Sequence, residues 1–84
     1  MKRKNTADMK VTINMLCEAV ARNLRDFGYP DAKGPMIREV WEAMKQGKTK
    51  FDLPHGIVGM FAESQINDHR EKFDAAARDE WRDA

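Results

Sequence analysis

Apolar residues recur in this chain at the spacing of a helix, and glycine and proline cut the recurrence into short lengths. Ile13, Leu16, Cys17, Val20, Leu24 and Phe27 stay on one helical face over about four turns. Gly28 can then take the left-handed conformation, Tyr29 can fold back on Leu24, and Pro30 cannot continue the helix. Thr12 is the expected N-cap, and Val11 and Leu16 have the spacing of a hydrophobic staple around it. The alternation from Val11 to Met15 leaves a short strand as the alternative there.

The same logic predicts a second helix from Gly34-Pro35, where proline suits the first helical position, to a stop at Gly47. Its buried stripe is Ile37, Val40, Trp41 and Met44. Lys48-Thr49-Lys50 reads as an exposed connector, followed by a loop pinned at Phe51 and Leu53. A third helix starts between Asp52 and Gly56 and uses Val58, Phe61, Ala62 and Ile66. Gly59 within it costs about 1 kcal/mol relative to alanine, which predicts a close approach by a neighbouring helix. Asp68 and Glu71 have the form of a capping box, implying a fresh helical start with the stripe Phe73, Ala76, Ala77 and Trp81. The sequence leaves open whether these last two segments form one bent rod or two helices. The expected fold is therefore all-α: a small bundle of three to four short helices at 11–84, with a flexible basic arm at 1–10.

With 84 residues, a single domain is expected, with a thin stability margin that dimerisation would widen. The lone cysteine, Cys17, can form no disulfide within the chain and falls in the apolar stripe as a packed thiol, which fits a reducing cytoplasm. Met1-Lys2-Arg3-Lys4 and Ala19-Val20-Ala21 imitate a secretory signal, but Thr12, Asn14 and Glu18 interrupt the apolar segment between them. No run approaches the roughly 20 apolar residues of a membrane span. A soluble, intracellular protein with no membrane partner is expected.

Signatures of catalysis are lacking. Gly56-Ile57-Val58-Gly59 is too short for a phosphate loop and has neither its Lys nor its Ser/Thr. Ser64 is followed by Gln65 in a helical pattern, without the context of a nucleophile elbow. Glu39 and Glu42 read as a solvated face, and His55 and His69 do not have metal-ligand spacing. His69 is expected to be partly buried between Ile66 and Phe73. No enzyme activity, cofactor, metal or small-molecule substrate is expected, which leaves macromolecular binding.

Two kinds of partner compete. Charge is polarised: residues 1–50 carry a balance of +5 and residues 51–84 one of −4. Lys2, Arg3, Lys4 and Lys10 in the arm, with Lys45, Lys48 and Lys50 at the end of the second helix, are candidate nucleic-acid contacts through phosphates. Against that reading, Glu39 and Glu42 flank Arg38 and Lys45, and Glu63 and Asp68 flank Gln65 and Asn67. Six methionines and an aromatic close to the chain end favour a protein partner or self-association. Phe73, Ala77 and Trp81 are the candidate interface, although for Trp81 itself docking back onto its own domain is the leading expectation and a partner contact the alternative. The leading expectation is a non-enzymatic accessory or regulatory module that binds another protein or itself; nucleic acid is the alternative.

Overall fold

The computed structural model describes residues 11–83, with side-chain environments through Trp81. The basic arm at 1–10, with Lys2, Arg3, Lys4 and Lys10, lies outside the described residues. The described chain is all-helical, with four helices: α1 (Ile13–Asp26), α2 (Gly34–Lys45), α3 (Gly56–Asp68) and α4 (Arg70–Asp83). Val11 and Thr12 precede α1, so the helix prevails over the strand alternative at 11–15.

Local chemistry sets the ends of α1 and α2. The extended backbone of Thr12 lets its hydroxyl accept from the amide of Met15 at 3.1 Å. At the other end Gly28, with φ of 112°, donates to Arg25 O, and Tyr29 donates to Leu24 O at 3.0 Å. This is a Schellman stop, and it repeats after α2: Gly47, with φ of 84°, donates to Met44 O and Lys48 to Ala43 O. Arg25 secures the connection from α1 to α2 by donating to the Ala32 carbonyl at 2.7 Å and pairing with Glu18 at 3.2 Å.

Helix α1 is the hub and packs against the other three, most extensively against α2. Its face of Ile13, Cys17, Val20, Ala21 and Leu24 is buried against Ile37, Val40 and Trp41 of α2, Ala62 and Ile66 of α3, and Phe73 and Ala76 of α4. Among the described residues no polar or charged residue is buried as a whole. Burial pushes the Cys17 thiol up to about 11, with smaller contributions from Arg38 (downward) and from Glu42 and Glu80 (upward). The thiol is therefore protonated and inert near neutral pH.

Several details differ from expectation. Leu53 is buried but Phe51 is 83% exposed, so only one of the two expected pins enters the core. In α3 the buried residues are Gly59, Ala62 and Ile66, while Phe61 turns outward and is 47% exposed. The close approach at Gly59 comes from the preceding loop and not from a neighbouring helix, because a Cβ there would collide with the Pro54 carbonyl oxygen. Helices α3 and α4 are two segments separated at His69, whose amide still bonds back to Gln65 and Ile66. His69 is exposed and not half-buried. The break assigns Asp68 and Lys72 to different helices, while Arg70 and Asp74 approach within 3.6 Å on α4.

Candidate functional site

The three residues expected at a protein interface separate by depth. Phe73 is fully buried, its ring centroid 6.2 Å from that of Trp41, so it belongs to the core and offers no contact surface. Ala77 is half-buried against the same cluster. Trp81 is 85% exposed and does not dock back onto its own domain.

The basic candidates are also divided. Lys45 is committed locally: its Nζ lies 3.1 Å from Glu42 and 4.0 Å from the Trp41 ring centroid. Arg38, one turn before Trp41, lies 5.2 Å from the same ring and links three helices. It donates to Asn14 of α1 at 3.1 Å, to Glu42 of α2 at 3.2 Å and to Glu80 of α4 at 3.0 Å. Desolvation disfavours the charge on Arg38, but its hydrogen bonds to Glu80 and Glu42 outweigh that and raise its pKa above the ordinary value. Burial likewise opposes ionisation of Glu42, and Lys45 and Arg38 more than reverse it, holding the carboxyl below its ordinary range. Lys48 and Lys50 are exposed, but Lys48 shares a shallow depression with Glu39, Glu42 and Asp52. A phosphate backbone approaching this end of α2 would meet both signs of charge.

The surface that the sequence reading missed lies on α3. From Gly56 to Ala62 the helix carries no charged residue, so it is apolar on its outer face as well as its inner one. Ile57 and Phe61 are four residues apart on that outer face, and Ile57 is 65% exposed. Beside them the Schellman turn after α1 presents Phe27, which is 77% exposed, and Tyr29, whose ring centroid lies 5.5 Å from that of Phe61. Leu24, Phe27, Tyr29, Phe61, Ser64 and Gln65 line a cleft of about 310 Å³. Gln65 is half-buried beside this cleft, and its Oε1 is shielded from solvent and accepts no hydrogen bond. A signal for this surface was present in the sequence: neither i±3 nor i±4 of Phe61 carries a charge.

The histidines are apart. His55 has a left-handed backbone with φ of 71° just before α3, and its Nε2 lies 2.8 Å from Glu39 Oε1. His69 borders a depression with Asp26 and Asp68. Among the described residues no three His, Cys, Asp or Glu side chains converge as metal ligands. None of the described helices is long and apolar enough to cross a membrane. No known protein family, curated protein or solved structure matches the chain.

Proposed function

We propose that this chain is a small non-enzymatic binding module, an accessory or regulatory protein of the cytoplasm, whose partner is a protein docking on the outer face of α3. The supporting observation is that the first half of α3, from Gly56 to Ala62, is apolar on both faces, yet the fold covers only one. A helix apolar all round is normally buried all round. Here Ile57, Phe61 and Phe27 remain open to solvent in one neighbourhood, as expected of an aromatic-rich contact surface. The cleft beside them would seat an anchor side chain, and its walls come from α1, the turn that follows it and α3. Recruitment by the tagged chain from nuclease-treated extract, repeated with Phe61→Asp, tests the reading. Recovered proteins should fall at least tenfold with the variant while its helical content and melting profile persist. Recovery that ignores Phe61→Asp but disappears with nuclease overturns the proposal.

A second reading rests on the turn at Lys48–Phe51. Phe51 projects into solvent with Lys50 Nζ 5.7 Å from its ring centroid and Lys48 nearby in sequence. An exposed ring among cations suits a stacked base of single-stranded nucleic acid, with the lysines of residues 1–10 adding phosphate contacts. This reading requires affinity for an oligonucleotide that falls steeply with salt and by at least fivefold in Phe51→Ala. Binding insensitive to both removes it.

A further inference from the structure

The α3 cleft is one half of a longer groove. A depression of about 350 Å³ adjoins it and shares two of its walls, Phe27 and Gln65. The cleft itself is apolar, lined by Leu24, Tyr29 and Phe61, whereas the depression is polar and carries Asn23, Asp26, Asp68 and His69. The exposed Phe27 ring borders both halves.

Charge along this groove has one fixed sign. Its lining includes two carboxylates and no lysine or arginine, and His69 carries no fixed charge. Among the described residues Asp26 and Asp68 enter no ion pair, unlike Glu42 and Glu80, which already hold Arg38. The arginines closest to them in sequence are committed elsewhere: Arg25 to the Ala32 carbonyl and Glu18, and Arg70 to Asn67 and Asp74. Arg22, one turn before Asp26 on α1, does not pair with it. Free carboxylates beside an exposed ring suit a guanidinium, which stacks on the ring face and donates to carboxylate oxygens. The same carboxylates repel nucleic acid and anionic lipid. A second copy presenting this face to its own image would add two more of them.

We infer that the α3 groove takes a basic amphipathic helix of a partner protein, with a bulky aliphatic side chain in the cleft and an arginine on the Phe27 ring, paired with Asp26 and Asp68. This rests on the reading of the α3 face as a docking surface and names the chemistry of its occupant. The two halves share walls, so anchor and arginine must be neighbours on the incoming segment. Residues three or four apart on a helix meet that need, their Cβ atoms lying about 5–6 Å apart on one face. The aliphatic anchor supplies most of the affinity. The arginine sets the choice of partner, because exposed pairs attract weakly while a like charge placed against them is rejected.

Fluorescence anisotropy of the full chain with two labelled synthetic helices tests this. Both are alanine-based, of about 15 residues, with leucines along one face. One has arginine three or four residues from each leucine, and the other has glutamate at the same positions. The arginine peptide should bind at least tenfold tighter, by an advantage that shrinks with added salt. The whole chain is formally +1, so a general attraction for cations does not mimic this preference. Asp26→Asn combined with Asp68→Asn changes two exposed residues and should leave the melting temperature nearly unchanged. It should weaken the arginine peptide about fivefold and remove most of the preference over glutamate. No binding of the arginine peptide, equal affinity for the two, or a preference that survives the double substitution overturns the inference. So does a chain that, without peptide, dimerises or adheres to phosphatidylcholine vesicles and loses this on Phe61→Asp, since the occupant is then a second copy or a membrane. If the inference falls while Phe61→Asp still costs captured proteins from nuclease-treated extract, the binding-module reading stands without it; if Phe61→Asp has no effect either, both fail.

Discussion

Two aromatic residues at the surface of helices, Trp41 on α2 and Phe61 on α3, meet opposite fates. Trp41 has cations three residues before and four residues after it, Arg38 and Lys45, and both lie over its ring. Their charges are in turn held by Glu42 and Glu80, and the indole is only 5% exposed. Around Phe61 the same helical positions hold Ile57, Val58, Ser64 and Gln65, none of which can spread a charged head over the ring. The difference teaches that on α2 the ring is packed on the core and capped by cations that are themselves anchored, whereas on α3 neither happens. The open face of α3 is thus a local departure from the way α2 is built.

The largest expected effect tests the covered side. Trp41→Ala removes a ring packed on Phe73 and the platform beneath two cations. A loss of about 3–5 kcal/mol is expected in urea unfolding, enough to unfold much of a domain of this size. A loss below about 1 kcal/mol would mean that the cations, and not the ring, hold α2 in place.

The inner face of α3 comes next. In Gly59→Ala the new methyl group meets the Pro54 carbonyl, which is backbone and cannot rotate away. Overpacking of this kind outweighs the roughly 1 kcal/mol that alanine gains in helix propensity, and a net loss of about 2 kcal/mol is expected by thermal unfolding. A stabilised variant would show that the 53–55 loop yields, and that α3 is held only by Ala62 and Ile66.

How much of this was legible in the sequence depends on the range of the interaction. The Thr12 cap and the stops at Gly28 and Gly47 follow from chemistry within five residues and could be read directly. The inward face of α3 could not. Where a helix is apolar all round, as α3 is from Gly56 to Ala62, periodicity has no contrast to detect, so the pattern of Val58, Phe61, Ala62 and Ile66 fitted as well as the observed Gly59, Ala62 and Ile66. The alternation of Phe51 and Leu53 misled for a related reason, since an irregular loop has no fixed side-chain period. Trp81 failed at the chain end, where the stripe from Phe73 through Ala76 passes beyond the core it packs against.

A smaller effect is set by pH and belongs to the hub helix between the two faces. The Cys17 thiol is raised to about 11 in the folded chain against 9.0 when unperturbed. The sign follows from linkage: below pH 9 both states keep the proton and the contribution is intact. Between pH 9 and 11 the unfolded thiol ionises first, and stability falls by about 2 kcal/mol. Cys17→Ala should start from lower stability and lose this part of the alkaline slope, as read by urea midpoints at pH 8 and 10.5. Parallel slopes for the two proteins would place the thiol in contact with water.

The smallest effect on stability is the sharpest test of the contrast between α2 and α3. Isoleucine and serine differ little in helix propensity, so Ile57→Ser reads the outer face of α3 with the backbone preference held nearly constant. The side chain is mostly exposed and borders no buried polar group, so its loss should move the unfolding free energy by no more than about 0.5 kcal/mol. Binding of a solvatochromic hydrophobic dye to the folded chain should nevertheless fall by half or more, because Ile57 extends the apolar surface that Phe61 and Phe27 begin. Near-neutral stability with reduced dye binding is what a contact surface requires. A loss above about 1.5 kcal/mol would instead make the outer face of α3 part of what holds the monomer together, and its contrast with the covered face of α2 would disappear.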